Sequence, residues 1–347
     1  MVEWKKLGEV CEVLRGKRLT KSQLNETEGY PVLHGGSTPM GYYSDYNRKA
    51  NTTVVVNTGN AGSVFFYDKE FWSSDACFSL YPNKGIIDKY LYLYVYGCEK
   101  ILKGKIRAGA MPTIDANTVA SLIIPIPSLS EQERIVGILD TFTASIDNIK
   151  AQIEQRRKQY EHYRNTLLTF NKDDDSVEWK TLGEITNISR GKRVVRRNLS
   201  ESGLIPVFQN SLKPLGFTNE SNYPANTTFI ISAGAAGDVG YSFSKYWGAD
   251  DCFSILTDED LHSRFVYHWL KKNEVYLQSR IRGGAIKRLS RDIINELPFP
   301  SIHFSRQQEI VSILDTFEAS ITNLEAQLER RQKQYEYYRE ELLTNLS

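Results

Sequence analysis

The chain has little of what most enzymes and exported proteins display. Its four cysteines (Cys11, Cys77, Cys98, Cys252) are widely spaced with no C-x-x-C pair. That excludes a disulfide framework and the common zinc and redox motifs, and leaves reduced, buried thiols as the expectation. The five histidines (His34, His162, His262, His268, His303) match no metal spacing. No run approaches the ~18 apolar residues that a membrane span requires. Met1 leads straight into a charged, strand-like segment, so no signal peptide is expected and a cytoplasmic protein is. Excess charge of one sign is also missing. The 43 Lys and Arg against 42 Asp and Glu leave a net charge of +1, so any attraction to nucleic acid must be local. There is no G-x-x-x-x-G-K-[ST] loop, no H-E-x-x-H and no G-x-S-x-G elbow. No catalytic residue, metal or cofactor is expected.

What the sequence does have is a repeat. "VEWKKLGEVCEVLRGKR" at 2–18 returns as "VEWKTLGEITNISRGKR" 175 residues later. The same offset pairs Gly59 with Gly234, Gly62 with Gly237, Trp72 with Trp247 and Asp75 with Asp250, and pairs "IRAGAMPTI" (106–114) with "IRGGAIKRL" (281–289). "IPIPSLSEQERIVGILDTF" pairs with "LPFPSIHFSRQQEIVSILDTF" if a two-residue slip is allowed. From Ser130 and Ser305 onward, 26 of 40 positions are identical. Each copy is thus a variable front followed by a much less variable tail, and "NKDDDS" (171–176) between the copies reads as a linker.

The fronts read as mixed α/β. "TTVVVNT" and "TTFIISA" are buried strands. "YLYLYVYG" (90–97) alternates like a strand, but its copy "FVYHWLKKNEVYLQSR" has a helical pattern ending near Arg280, so both are read as helical. "GNAGSVFF" and "GAAGDVGY" lack the G-x-G-x-x-G order and read as tight turns between strands. In the tails the apolar stripe falls at Ile135, Leu139, Phe142, Ile146, Ile149, Ile153, Tyr160, Tyr163 and Leu167, with Arg156 in the one gap. The second stripe falls at Ile310, Leu314, Phe317, Ile321, Leu324, Leu328, Arg331, Tyr335, Tyr338 and Leu342. Steps alternating between four and three predict a coiled-coil seam, because a 3.5-residue repeat keeps one stripe facing a partner helix. Two homologous helices separated by a whole domain can pair antiparallel, and ~38 residues would span roughly 57 Å. The expected fold is two mixed α+β repeats joined by two long helices in an antiparallel coiled coil with a pseudo-twofold. The domains would be 1–129, 130–170, 177–303 and 304–347 around the linker.

Basic residues cluster at matched places. Arg15, Lys17, Arg18 and Lys21 stand opposite Arg190, Lys192, Arg193, Arg196 and Arg197. Lys105 and Arg107 stand opposite Arg280 and Arg282, with Lys287 and Arg288 added. Cations beside glycines that allow close backbone approach suit phosphate contacts, although a charged run is also the ordinary look of a solvated loop. Residues 25–50 and 200–225 share Pro31/Pro206, Pro39/Pro214 and Gly41/Gly216 but differ between them. His34, Ser37 and Thr38 face Gln209, Leu212 and Lys213, and Asn57 faces Ser232. Such side chains can read base edges, so one scaffold with different readers would give two different half-sites. Drift on surface loops would leave the same pattern.

The Pro-rich entry "IPIPSLSEQERIVGILD", its copy and the order of front, helix, front, helix resemble the specificity (S) subunits of type I restriction–modification systems across essentially the whole chain. One departure is Arg306 where the first copy has Glu131, leaving Gln132/Gln307 as the shared element. The resemblance implies a subunit without catalysis of its own. Each front would be a target recognition domain reading one half of a bipartite, asymmetric site in double-stranded DNA. The helices would set the gap and carry two adenine methyltransferase subunits, and motor-nuclease subunits can join. Two rival readings remain. A self-contained methyltransferase needs an Asn/Asp-Pro-Pro-Tyr/Phe loop, which the sequence lacks. A coiled-coil scaffold binding only proteins would lack salt-dependent DNA affinity.

Overall fold

The computed structural model describes residues 2–107, 109–171, 177–195, 197, 199–200, 203–281 and 287–344. Arg196, Arg282 and residues 172–176 of the expected linker lie outside them. The chain divides into two compact units, one formed by Met1–Lys150 with Ala326–Ser347 and the other by Ala151–Glu325. Each unit holds one front together with part of both long helices.

The first unit opens with β1 (Glu3–Lys6), α1 (Leu7–Val10) and β2 (Cys11–Arg15), followed by β3 (Tyr30–Leu33), β4 (Pro39–Tyr43), β5 (Thr52–Val56) and β6 (Val64–Tyr67). Next come β7 (Trp72–Ser73), β8 (Cys77–Pro82), α2 (Asp88–Gly97), α3 (Glu99–Gly104), α4 (Ala116–Ala120), β9 (Ile123–Ile126) and the start of α5 (Leu129–Leu167). A four-stranded antiparallel sheet in the order β2-β8-β5-β6 is joined by a β4-β3-β7 sheet and a β1-β9 ribbon. Every residue of β5 is buried. Val55 faces the main core under α2, while Val54 faces a smaller core with Leu33, Phe71 and Cys77. Alternate side chains point to opposite faces of a strand, and both faces here are covered, which is why the sequence shows an unbroken apolar run.

The second unit repeats this plan with β10 (Glu178–Thr181), α6 (Leu182–Ile185), β11 (Thr186–Arg190), β12 (Ile205–Phe208), β13 (Gly216–Thr218), β14 (Thr227–Ile231) and β15 (Val239–Ser242). It continues through β16 (Trp247–Gly248), β17 (Cys252–Thr257), α7 (Ser263–Lys272), α8 (Glu274–Ser279), α9 (Arg291–Asn295), β18 (Pro298–Ser301) and α10 (Phe304–Thr344). Its main sheet runs β11-β17-β14-β15. Registers match across the repeat: Val54 lies opposite Ser79 and Phe229 opposite Ser254.

Two expectations need correction. The strand pairing sets Trp4 opposite Pro125 and Trp179 opposite Pro300, so the 175-residue offset persists through the Pro-rich segment and no two-residue slip exists. The helix expected to run on to Arg280 is broken at Asn273 (φ −94°, ψ 8°). The Asn273 side-chain amide donates to Trp269 O at 2.8 Å, a carbonyl that also accepts from the Asn273 backbone N–H at 3.2 Å, so the side chain caps the end of the helix at this residue. Cys98 marks the same break between α2 and α3.

Within each unit the two long helices run antiparallel and touch. In the first, Phe142 of α5 meets Tyr338 of α10 with ring centroids 5.2 Å apart, and the Arg331 guanidinium lies over Phe142. In the second, Tyr163 stacks on Phe317 at 5.1 Å, and Arg157 pairs with Glu325 at 2.6 Å. Ile135 and Leu139 belong to the first unit's globular core together with Leu343 of α10. Ile310 and Leu314 share the second unit's core with Leu168. Among the described residues no helix is long and apolar enough to cross a membrane.

Candidate nucleic-acid interface

The R-G-K-R loop leaves β2 and is pinned by backbone bonds. Gly16 N–H donates to Cys77 O (3.1 Å) and Lys17 N–H to Ser73 O (2.9 Å), while the Trp72 indole N–H holds Lys17 O at 2.7 Å. A Cβ on Gly16 would lie 2.2 Å from the Ser73 and Ser74 carbonyl oxygens, so only glycine fits. The second unit repeats the arrangement: Gly191 donates to Cys252 O (2.9 Å), Lys192 to Gly248 O (3.0 Å) and Trp247 to Lys192 O (2.9 Å). The Nε of Arg15 and Arg190 donates to Asp75 O (3.0 Å) and Asp250 O (2.8 Å), so these two side chains tie the loop to the β7–β8 and β16–β17 connections. Lys17, Arg18 and Lys21, with Lys192, Arg193 and Arg197, remain exposed, and the bonds above fix the backbone at Lys17 and Lys192.

Three further loops meet beside it. The Gly59–Gly62 turn joins β5 to β6, with φ of +87° and +79° at its glycines. Ile114 N–H donates to Asn57 O (2.9 Å), and Gly59 N–H to Pro112 O (3.3 Å), which brings in the loop carrying Lys105 and Arg107. The His34–Thr38 loop packs against the same turn, where a Cβ on Gly35 would lie 3.0 Å from Thr58 O. In the second unit Ala235 N–H donates to Asn210 O and Leu289 N–H to Ser232 O, each at 2.9 Å, gathering Gln209, Lys213, Lys287 and Arg288. His34, Ser37, Thr38 and Lys213 are exposed, while Gln209 is half-buried. Arg107 pairs with Asp115 at 2.6 Å, Arg288 lies 3.7 Å from Asp251, and Arg280 stacks over Tyr276.

Asn57 and Ser232, grouped above with the base readers, are 3% and 4% exposed. The Asn57 amide donates to Asp75 O (3.0 Å) and its carbonyl accepts from Thr58 Oγ1, so it serves the loop rather than a ligand. Residues that sequence reasoning passed over include Ser74, buried and bonded to His34, and Asn47 and Asn222. Those asparagines bracket Ser73 and Gly248 through paired backbone bonds. Asn47 and Asn222 share the 175-residue offset, which is the one signal that could have found them.

The units differ where the second or seventh helix meets the long ones. In the second, Arg264 lies over the Tyr267 ring and pairs with Asp315 (2.8 Å) and Glu318, while the fully buried His268 donates from Nε2–H to Asp315 Oδ1 (2.8 Å). Burial holds His268 below its usual pKa of 6.5, against the pull of Asp315. Tyr160 OH donates to Glu318 at 2.8 Å. In the first unit the corresponding residues are Lys89, Leu93, Asp140 and Thr143. A groove of about 1140 Å³ remains there, lined in part by Lys89, Tyr92, Asp140 and Tyr335.

A family model for the type I restriction modification DNA specificity domain matches residues 1–156 and again 175–331. The chain is 28% identical to the EcoR124I/EcoR124II type I restriction enzyme specificity subunit of Escherichia coli, covering 99% of this chain and 94% of that one. It is 29% identical to a Haemophilus influenzae chain assigned by inference as a type I restriction enzyme specificity subunit, covering 100% and 96%. The crystal structure of a type I restriction–modification S subunit from Mycoplasma genitalium has the same fold, with a TM-score of 0.78 at 20% identity over 100% of this chain and 97% of that one.

Proposed function

The chain belongs to the type I restriction modification DNA specificity family, whose part is DNA recognition rather than catalysis, and from that membership we propose that it reads a bipartite, asymmetric site in double-stranded DNA. Each front, 1–129 and 177–303, reads one half-site. The helical segments 130–170 and 304–347 set the unread gap and carry two methyltransferase subunits, to which motor-nuclease subunits can add.

The observation that supports this reading best is one rigid loop framework carrying two sets of side chains. The R-G-K-R loops are pinned by the same bonds in both units, whereas His34, Ser37 and Thr38 give way to Gln209, Leu212 and Lys213. Shared cations on fixed backbone suit phosphate, which is the same in every sequence; divergent side chains beside them suit bases, which are not. Lys17, Arg18, Lys192 and Arg193 are the expected phosphate contacts.

Duplex binding by the complex with its methyltransferase subunits tests the assignment. Affinity should fall about 10³-fold or more between 50 and 200 mM salt if six or more phosphates are neutralised, and Lys17→Ala should lower the log–log salt slope by about one. Affinity that is flat across that range would leave a protein-binding scaffold as the better account.

A further inference from the structure

His34 follows β3 and is exposed, and its Nδ1 lies 2.8 Å from Ser74 Oγ. Ser74 is 1% exposed, and its hydroxyl oxygen already accepts from Ala76 N–H at 3.3 Å. The hydroxyl proton therefore needs an acceptor, and His34 Nδ1 is in place to be one. Asp75 Oδ1 is 4.0 Å from the same nitrogen, beyond hydrogen-bond reach. With Nδ1 accepting, the neutral ring carries its proton on Nε2. Protonating the ring leaves Nε2 a donor as well, so in either form the exposed edge presents an N–H.

The repeat supplies an independent observation. Gln209 stands in place of His34, and Ala249 stands in place of Ser74. The hydroxyl is present in the copy whose reader is an imidazole and absent from the copy whose reader is an amide, which has no tautomer to set. The pair changes together.

We propose that His34 reads a guanine in the half-site contacted by the first unit, as a hydrogen-bond donor, and that Ser74 is the positioning residue that fixes its tautomer. In the major groove guanine offers two acceptors, N7 and O6, with no donor beside them, whereas thymine offers only O4 beside a methyl group, adenine N7 stands beside an amino donor, and cytosine presents an amino group that a donor cannot satisfy. The proposal rests on the DNA-reading assignment above and names the chemistry of one reader within it.

Methylation mapping of genomic DNA from cells carrying the chain with its methyltransferase subunits tests it, comparing wild type, His34→Ala and Ser74→Ala. The wild-type motif should hold a guanine in one half. His34→Ala should relax that single position, lowering the preference for guanine about 10-fold, with the other positions and the gap unchanged. Ser74→Ala frees the ring to place its proton on Nδ1, so Nε2 becomes an acceptor for an amino group, and adenine or cytosine should enter at the same position. A merely structural role for Ser74 would weaken methylation evenly across the motif. An unchanged motif in His34→Ala, or a Ser74→Ala change that is absent or spread over several positions, overturns the proposal while the DNA-reading assignment stands. A wild-type chain that directs no motif at all overturns both.

Discussion

A buried amide explains why Gln132 and Gln307 recur in the two copies while the charge beside them does not. Gln132 Oε1 accepts from Ile87 N–H (2.9 Å), and its Nε2 donates to Gly85 O and Pro127 O (both 3.0 Å). Gln307 makes the same three bonds to His262 N–H, Asp260 O and Ile302 O. One side chain thus clips the start of a long helix to the loop that launches α2 or α7. Glu131, by contrast, is surface charge paired with Arg134, and the second copy rebuilds an equivalent pair from Arg306 and Glu309. Replacing Gln132, which is fully buried, by Leu leaves the half-buried Ile87 N–H and the Pro127 carbonyl without this partner, so Gln132→Leu should destabilise the first unit by about 1–3 kcal/mol. Denaturant unfolding or hydrogen exchange of α2 would register it, and Glu131→Ala should change little by the same measure. The sequence showed that Gln132 is shared; what it bonds to, 45 residues back at Ile87, belongs to the tertiary fold and leaves no local trace.

At the scale of elements, periodicity was informative where one partner dominated and misleading where several did. The four-three stripe on α5 and α10 predicted two long helices, and both are there. At their N-terminal turns Ile135, Leu139, Ile310 and Leu314 also join globular cores, a second role that a heptad pattern does not distinguish. The Tyr alternation of α2 imitates a strand for a related reason. Tyr90 and Tyr94, one helical turn apart, send hydroxyls to Pro125 O and Ile123 O (both 2.9 Å), while Tyr92 and Tyr96 pair on another face. A helix covered on two sides uses tyrosine on both, and the intervening apolar residues complete a period of two. If the long helices set the unread gap, removing seven residues from each shortens them by ~10 Å, and the gap in the methylated motif should shrink by about three base pairs. Mapping that motif would check it, and a gap of constant length would count against the helices as spacers.

At the scale of the whole molecule, two copies of one plan have been kept alike in framework and unlike in what they display. The offset of 175 persists through strands, turns, glycines and the R-G-K-R loops, so the repeat, the fold class and the position of the basic loops could be read directly from the sequence. Which loop residues face outward could not. Asn57 and His34 look equally polar in sequence, yet one is buried against Asp75 O and the other stands exposed, because burial is decided by the neighbouring β7–β8 connection and not by residue type. The variable segment between the shared prolines and glycines is proposed to specify one half-site. The most direct test is to replace residues 25–50 by the sequence of 200–225 and map adenine methylation in cells that supply the methyltransferase subunits. The expected result is a motif in which one half is rewritten while the other half and the gap persist. A motif identical to that of the unaltered chain would contradict it.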